Sequence, residues 1–213
     1  MKIRNLILSF LCKYKMLPPM PEDKNDLLKN FITTARAMDN PRVLELGTLR
    51  SIKDRSTMHK DWVPNASEYI GTDIEDCVDV DVVADVHSLS TTLGEESFDI
   101  VISCSTFEHF KYPQLAAHEI MKVLKLNGIL FIQTHQSFPL HAYPFDYYRF
   151  SKEALCGLFS QKMGFKTQST CYNFPAWIYS QRDPQSVNAH SYLNVCLHTK
   201  KLIRTPSEYL YDI

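Results

Sequence analysis

The sequence predicts a doubly wound α/β domain, in which a mostly parallel sheet carries helices on both faces. Short apolar runs of strand length recur along the 213 residues, and they alternate with segments of helical periodicity. Each connection is also long enough for the crossover helix that parallel neighbours require. The length and the ordinary apolar content suit one globular domain with a sizeable core.

The first predicted strand lies in segment 42–48, where Glu45 stands two residues before Gly47. The apolar residues around Glu45 predict a strand that is buried on both faces. Glycine at a strand end permits a sharp turn and close approach of the backbone to a ligand. Ligands of open α/β sheets bind beyond the carboxyl ends of the strands. We therefore expect a binding site at this edge.

The remaining elements follow in order along the chain. A helix capped by Asp23 or Asn25 precedes the first strand, and a loop with a short helix follows it. A polar loop is expected at 183–189. The other predicted strands are 68–74, 80–86, 97–103, 128–134, 165–172 and 192–199, and the other predicted helices are 112–126, with Asn127-Gly128 as its C-cap, and 151–162, with Ser151 as its N-cap.

Charge and cysteine content exclude several classes of protein. The formal net charge is −1, and no run of Lys and Arg exceeds two residues, which argues against a general nucleic-acid binder. The six cysteines form no CxxC pair and no zinc-like spacing with histidine. We expect reduced, mostly buried thiols, and therefore a cytoplasmic protein.

The first 15 residues carry four basic side chains and no acid around a short apolar core. A signal peptide is disfavoured because Pro18-Pro19 follows where a small-residue cleavage site would stand. The apolar core is also too short to span a bilayer. We expect a short amphipathic helix that packs on the domain, with a weak membrane-surface contact as the alternative.

Acidic residues follow the predicted strands on one side of the sheet, at Glu45, Asp73, Asp85 and Glu108. A carboxylate after the second strand can accept both hydroxyls of a ribose, and one after the third can accept from the exocyclic amine of adenine. Ile74 and Val86 stand beside these two acids, where they could sandwich a flat ring. One such acid would more simply cap a turn, but the series favours a nucleoside site.

In their order and spacing, these motifs resemble those of class I S-adenosylmethionine-dependent methyltransferases of the small-molecule, type 11-like family. The resemblance covers roughly residues 40–170 and implies a seven-stranded Rossmann-like sheet whose last strand is antiparallel. It also implies S-adenosylmethionine as the cofactor. The family motifs stand here as Glu45-Leu-Gly47, Asp73, Ala84-Asp85-Val86, Phe107-Glu108-His109-Phe110 and Val123-Leu-Lys-Leu-Asn-Gly128.

The resemblance also implies roles for single residues. The implied cofactor contacts are Glu45 and Gly47 at the methionine end, Asp73 at the ribose, Asp85 and Val86 at the adenine, and Ser103 or Cys104 at the amino-acid moiety. The chain departs from the family at Leu49 and Ser51, where the second and third glycines of the turn usually stand. Side chains there restrict the approach of backbone N–H groups to a ligand. A non-catalytic protein of methyltransferase fold is therefore the main alternative. A nucleotide-binding oxidoreductase would need the G-x-G-x-x-G turn that is missing here.

Methyl transfer from a sulfonium requires mainly that acceptor and methyl carbon be brought into line. A hydroxyl acceptor also benefits from a general base, a role that suits histidine. His109, His135 and His141 all fall at or after strand ends on the binding side. We therefore expect these three histidines to include the catalytic base.

The segment 141–150 combines five aromatic residues with His141, Asp146 and Arg149. It predicts a substrate-facing lid in which Asp146, Tyr147 and Arg149 contact the acceptor. A packing loop held by an Asp146–Arg149 pair is equally open. The adjacent Glu108-His109 is a weak signal for a divalent metal, and we expect no metal there.

Taken together, the sequence predicts a single domain over 1–213. It comprises an N-terminal helical cap (1–40), a cofactor-binding core (41–135), and a lid segment with closing strands (136–213). The predicted activity is methyl transfer to a small-molecule or glycan-type acceptor, most simply at a hydroxyl. No nucleic-acid partner is expected, and the oligomeric state is open.

Overall fold

The computed structural model describes Ile3, residues 25–178 and residues 190–211. Apart from Ile3, the predicted N-terminal amphipathic helix lies outside these residues, as do Asp23 and the predicted loop at 183–189. None of the helices in the described ranges is long and apolar enough to cross a bilayer.

The described strands are β1 (Arg42–Leu46), β2 (Glu68–Asp73), β3 (Val82–Val83), β4 (Phe98–Cys104), β5 (Leu124–His135), β6 (Phe165–Trp177) and β7 (His190–Lys201). The helices are α1 (Leu27–Arg36), α2 (Leu89–Leu93), α3 (Pro113–Val123) and α4 (Lys152–Leu158). Short 3-10 turns lie at Lys60–Trp62, Val86–Ser88 and Phe107–His109. Helices separate most of the described strands from β3 onward, but only a 3-10 turn lies between β1 and β2, and β3 follows β2 without a helix, so the predicted alternation is only partly confirmed.

The strands form one seven-stranded sheet in the order β3-β2-β1-β4-β5-β7-β6. Strands β1 to β5 are parallel, and β7 runs antiparallel to both of its neighbours. This confirms the predicted fold class, a mostly parallel doubly wound sheet with an antiparallel last strand. The carboxyl ends of β1 to β5 share one edge, and the predicted site residues lie along it.

Alternate residues of the central strands face two separate apolar layers, because strand side chains point to opposite faces with a period of two. Val43 and Ile100 pack in the layer that contains Phe31 of α1. Leu44 and Val101 pack in the opposite layer with α3 and α4. The predicted burial of these strands on both faces is thus confirmed.

Strand β3 is shorter than the predicted 80–86. Only Val82 and Val83 pair with β2. The carboxylate of Asp81 accepts a hydrogen bond from the amide of Gly71 at 2.8 Å. A side-chain oxygen thus satisfies a β2 amide that a longer β3 would pair through its backbone.

The predicted C-cap at Asn127-Gly128 is wrong, because α3 already ends at Val123 and both residues lie within β5. Buried Lys201 satisfies the helix end instead. Its Nζ donates to the carbonyls of Met121 (2.7 Å) and Leu124 (2.6 Å).

The predicted N-cap of α4 is confirmed, since Ser151 Oγ accepts from the amide of Ala154 at 3.1 Å. The helix ends at Leu158, earlier than predicted.

The five described cysteines are free, but only Cys196 is buried, so the expectation of mostly buried thiols is wrong.

Candidate active site

The candidate site occupies the carboxyl edge of the parallel strands. Its two halves come from different parts of that edge. Most predicted cofactor residues lie at or after the ends of β1, β2 and β3, with Ser103 and Cys104 at the end of β4, whereas the predicted catalytic histidines lie after β4 and at or after the end of β5. The register of β4 and β5 aligns Cys104 with Gln133, so the turn after β4 faces the residues that end β5.

Glu45 is held entirely by protein groups. It is 3% exposed, and its carboxylate accepts from the amide of His59 at 2.9 Å and from the hydroxyl of Tyr69 at 2.5 Å. Its second oxygen lies 2.6 Å from Nδ1 of His59. Burial, and then the adjacent carboxylate, raise the pKa of Tyr69. Glu45 thus ties the segment after β1 to the sheet at the predicted methionine end.

Gly47 adopts a φ of +79° at the end of β1, and a Cβ there would lie 2.0 Å from Oγ1 of Thr106. Only glycine tolerates both the backbone conformation and this approach. The Thr106 hydroxyl donates to the carbonyl of Cys104 at 2.9 Å, which fixes it over the glycine. No motif marks Thr106, so sequence reasoning does not find it.

Asp73 stands at the end of β2, as predicted, and it organises the turn that lacks its glycines. One carboxylate oxygen accepts from the amide of Leu49 at 3.2 Å, and the other accepts from the amide of Ile74 at 2.7 Å. Ile74 is 66% exposed beside it. Asp73 therefore lies at the sheet edge beside the exposed apolar side chain of Ile74, the two residues that the sequence predicts to contact a nucleoside.

Asp85 caps the turn after β3 by accepting from the amide of His87 at 2.9 Å. This hydrogen bond is the main cause of the lowered pKa of Asp85, with a further contribution from the His87 ring. The amide of Tyr112 donates to Nε2 of His87 at 3.2 Å, so Nδ1 carries the proton that faces the carboxylate. Val86 is partly buried and packs on the core.

Ser103 and Cys104 end β4, next to the predicted amino-acid moiety. Ser103 is fully buried, and its hydroxyl has no hydrogen-bond partner among the described residues. Burial raises the pKa of the Cys104 thiol, and the charges of Glu45 and Glu108 raise it further. Cys104 is therefore a neutral thiol rather than a nucleophile.

Glu108 and three histidines converge at the ends of β4 and β5, and we call them the histidine cluster (Glu108, His109, His135 and His141). The Glu108 side chain is completely buried, and its Oε1 lies 3.0 Å from Nε2 of His135. The Nε2 atoms of His109 and His141 lie 3.9 Å and 4.0 Å from the same oxygen. The structure thus brings together the three predicted catalytic histidines around one carboxylate.

Each histidine of the cluster is oriented by an oxygen at its other ring nitrogen. Nδ1 of His109 lies 2.8 Å from the carbonyl of Phe145, and Nδ1 of His141 lies 3.2 Å from that of Pro139. Carbonyl oxygens only accept, so in both rings Nδ1 carries the proton and Nε2 keeps its lone pair when the ring is neutral. Nδ1 of His135 lies 3.1 Å from Oδ1 of Asn194.

Glu108 and His135, the two buried members of the cluster, shift each other's pKa. Burial lowers the pKa of His135, but the carboxylate of Glu108 more than offsets it, so the pKa is raised overall. Burial raises the pKa of Glu108, while His135 and the hydroxyl of Thr134, which donates to Oε2 at 2.6 Å, lower it overall. In the absence of any other cation, Glu108 and His135 therefore form an ion pair.

The segment 141–150, which the sequence predicts as either a lid or a packing loop, contains the ion pair that the packing-loop alternative requires. Arg149 contacts both oxygens of Asp146, at 2.6 Å and 2.8 Å, and this contact lowers the pKa of Asp146. Arg149 also donates to the carbonyl of Phe138. Two of the predicted substrate residues thus fasten this segment, while the Tyr147 side chain is 40% exposed. A cavity of about 490 Å³ is lined by His141 and Asp146 among others.

Comparison with known proteins agrees with this architecture. A family model described as a methyltransferase domain matches residues 56–132. No curated protein matches the sequence.

Solved structures share the fold at low sequence identity. The YcgJ protein from Bacillus subtilis is 18% identical with a TM-score of 0.58, over 83% of this chain and 98% of that one. A SAM-dependent methyltransferase from Archaeoglobus fulgidus is 15% identical with a TM-score of 0.57, over 82% and 91%. The Burkholderia thailandensis 1,6-didemethyltoxoflavin-N1-methyltransferase, solved with its substrate and S-adenosylhomocysteine, is 13% identical with a TM-score of 0.55, over 94% and 88%.

These findings confirm the resemblance to class I S-adenosylmethionine-dependent methyltransferases, and the chain has their fold. Two of these neighbours are described as SAM-dependent or as bound to S-adenosylhomocysteine.

Proposed function

We propose that the protein transfers the methyl group of S-adenosylmethionine to a small-molecule or glycan-type hydroxyl. The observation that carries the proposal is the histidine cluster at the ends of β4 and β5, on the same sheet edge as Asp73 and Asp85. A nucleoside site and a set of basic nitrogens on one edge are what methyl transfer to a hydroxyl needs. The toxoflavin methyltransferase, a neighbour of the same fold, binds a small molecule.

In this proposal the cofactor lies across the ends of β1, β2 and β3. Asp73 receives the ribose, with Ile74 against the base, and Asp85 and Val86 receive the adenine. Glu45, Gly47, Ser103 and Cys104 surround the methionine portion. Glu45 acts there through His59 and Tyr69, because both of its oxygens already accept from them.

Within the cluster, His141 is the best general base. Its side chain is 29% exposed and lines the lid cavity, so an acceptor can reach it. Its Nδ1 faces the carbonyl of Pro139, which leaves the Nε2 lone pair free to take a hydroxyl proton. His109 occupies a similar position, whereas His135 is engaged by Glu108. The exposed side chain of Tyr147 contacts the acceptor in this proposal.

A non-catalytic protein of the same fold is the second candidate, and two contacts favour it. Thr106 covers Gly47 where the methionine end would approach. The carboxylate of Asp73 already accepts from the amides of Leu49 and Ile74. A cofactor could bind only if the Thr106 side chain and the turn at Leu49 either left room for it or moved.

Calorimetric titration with S-adenosylhomocysteine separates the two candidates. We expect binding in the wild type, and we expect Asp73→Ala to weaken it by about 1–3 kcal/mol, the cost of leaving buried partners without a hydrogen bond. Asp76→Ala removes an exposed acid from the same turn and serves as the matched control, with unchanged affinity. A folded protein that fails to bind at millimolar ligand would reject the enzyme and support the non-catalytic candidate.

A further inference from the structure

We infer that the histidine cluster binds a divalent transition-metal ion of the zinc type, with Glu108, His135 and His141 as its ligands. Imidazole nitrogens and a carboxylate form a donor set that suits such an ion and disfavours Mg²⁺ or Ca²⁺, which prefer all-oxygen sites. The sequence expectation was that no metal binds here, because an adjacent Glu-His pair carries little information by itself.

The first observation is the spacing of the donor atoms. With ligand bonds of about 2.0–2.2 Å, two atoms that bind one ion lie roughly 3–4 Å apart. The three Nε2 atoms stand 3.0 Å, 3.9 Å and 4.0 Å from Oε1 of Glu108. The donor atoms of Glu108, His135 and His141 all lie within 4.8 Å of one another, whereas His109 belongs to a second group with His141 and Asp146.

The second observation is an orphaned oxygen at the centre of the cluster. Oε1 of Glu108 is buried and has no hydrogen-bond partner among the described residues. Nε2 of His135 is near enough to donate to it, but the two atoms lack the alignment of a hydrogen bond. A buried carboxylate oxygen that has an ion-pair partner but accepts no hydrogen bond is only partly satisfied. A cation between these atoms would satisfy it.

The third observation is the set of oxygens behind the rings. Metal-bound histidines almost always direct their other nitrogen at a carboxylate or carbonyl, which fixes the tautomer and the ring orientation. Phe145, Pro139 and Asn194 supply such an oxygen to His109, His141 and His135 respectively. All three rings therefore point Nε2 toward Glu108.

Asp146 is the only other acid near these histidines in the described part of the chain, and it can form an alternative donor group with His109 and His141. We favour Glu108 because Arg149 already contacts both oxygens of Asp146. Asp146 instead lies 3.4 Å from Nδ1 of His141, where it supports that ring from behind.

A metal in this position would also narrow the class of acceptor, and this step rests on the proposed function. A bound cation lowers the pKa of a coordinated hydroxyl or water. In the metal-bound protein Nε2 of His141 is a ligand and is no longer the base. The acceptor hydroxyl would then bind the metal beside the methyl donor and give its proton to Nε2 of His109, whose Nδ1 faces the carbonyl of Phe145. Vicinal hydroxyls of a sugar or catechol type would bind best, because both oxygens can be ligands.

The experiment is calorimetric titration of the full-length protein, first stripped with a chelator, with Zn²⁺ and separately with Mg²⁺. We expect one Zn²⁺ per chain and no Mg²⁺ binding over the same concentrations. Glu108→Gln and His141→Ala should each weaken Zn²⁺ binding at least tenfold. His190→Ala removes an exposed histidine outside the cluster and should leave the affinity unchanged.

Absence of Zn²⁺ binding, or equal binding by the wild type and both ligand variants, would overturn the proposal. His141 lies on the partly exposed lid, so its variant remains informative even if Glu108→Gln does not fold. The titration contains no cofactor. Zn²⁺ binding without S-adenosylhomocysteine binding would keep the metal site and reject methyl transfer, whereas the reverse result would reject the metal site alone.

Discussion

Two buried titratable residues of this protein differ in their partners, and the difference decides their charge. Glu108 remains ionised because His135 and Thr134 surround its carboxylate. His198 is 4% exposed, and its Nε2 has no hydrogen-bond partner among the described residues. It contacts the ring of Phe31 edge-on at 5.4 Å. Burying a charge in such surroundings is unfavourable, so His198 folds as the neutral ring.

We predict that protonation of His198 contributes to acid unfolding. Burial lowers its pKa from 6.5 to about 4, so below pH 6.5 the unfolded chain binds a proton that the native protein excludes. Stability from this residue is complete above pH 6.5 and is lost progressively as the pH falls toward 4. The loss is about 1.4 kcal/mol per pH unit, roughly 3 kcal/mol in all.

The measurement is urea unfolding of the wild type and of His198→Leu at a series of pH values from 7.5 to 4.5. Other groups titrate in this range, so the informative quantity is the difference between the two free energies of unfolding. We expect that difference to shift in favour of the leucine variant as the pH falls. Two curves that stay parallel would show that His198 ionises normally in the native protein.

At the scale of elements, the junction between α3 and β5 depends on one side chain from β7. The helix passes directly into the strand, which leaves the carbonyls at the helix end without intrahelical donors. Lys201 donates to those of Met121 and Leu124, and its positive charge lies at the favourable end of the helix dipole. A residue of the last strand thus does what a local C-cap would do.

We predict that Lys201→Met destabilises the protein by about 1–3 kcal/mol, because the Leu124 carbonyl loses its charged donor and the Met121 carbonyl keeps only Thr205, while the apolar stem is retained. Thr205→Ala is the matched control. Thr205 donates only to Met121, whose carbonyl keeps Lys201 in that variant, so the loss should be smaller. Thermal or urea unfolding of both variants makes the comparison. Equal losses, or no loss in Lys201→Met, would contradict this role.

The elements that the sequence predicted well are those whose pattern is local. The buried runs that became β1, β4 and β5 have their own apolar signature, and Ser151 caps α4 through its immediate neighbours. The end of α3 was mispredicted because its cap is Lys201, 78 residues beyond Val123 in the sequence. Such long-range contacts leave no local pattern.

The candidate site was predictable to the same extent. Position after a strand was enough to select Asp73, His109, His135 and His141 as candidates. It was not enough to show that the three rings meet at Glu108, because their orientation depends on carbonyls and an amide contributed by the lid and β7. Thr106 was missed because its role is steric and depends on the bend at Gly47.

At the scale of the whole molecule, the sheet keeps Asp73 and the histidine cluster apart. Asp73 ends β2, whereas His135 ends β5, and the strand order places β1 and β4 between them. Three strand spacings of about 4.8 Å amount to roughly 14 Å. Residues separated by more than about 10 Å without shared partners usually act independently on stability and binding. The reaction would take place where ligands from the two halves meet.

We therefore predict that S-adenosylhomocysteine binding and Zn²⁺ binding can be weakened separately. Asp73→Ala should weaken S-adenosylhomocysteine at least fivefold while changing Zn²⁺ affinity less than about twofold, since its partners are the amides of Leu49 and Ile74. His141→Ala should do the opposite, because its contacts lie within the lid and the cluster. Calorimetry of both variants with each ligand gives the four affinities.

The double variant completes the test, because independent halves require the two free-energy losses to add. A large change in Zn²⁺ affinity on Asp73→Ala would instead mean that the sheet edge moves as one unit, with the turn at Leu49 coupled to the lid. In that case the turn at Leu49 and the histidine cluster would be parts of one site that assembles only when both ligands bind. Additive losses would mean that the sheet presents two preformed sites, and that catalysis depends on aligning their ligands rather than on building the site around them.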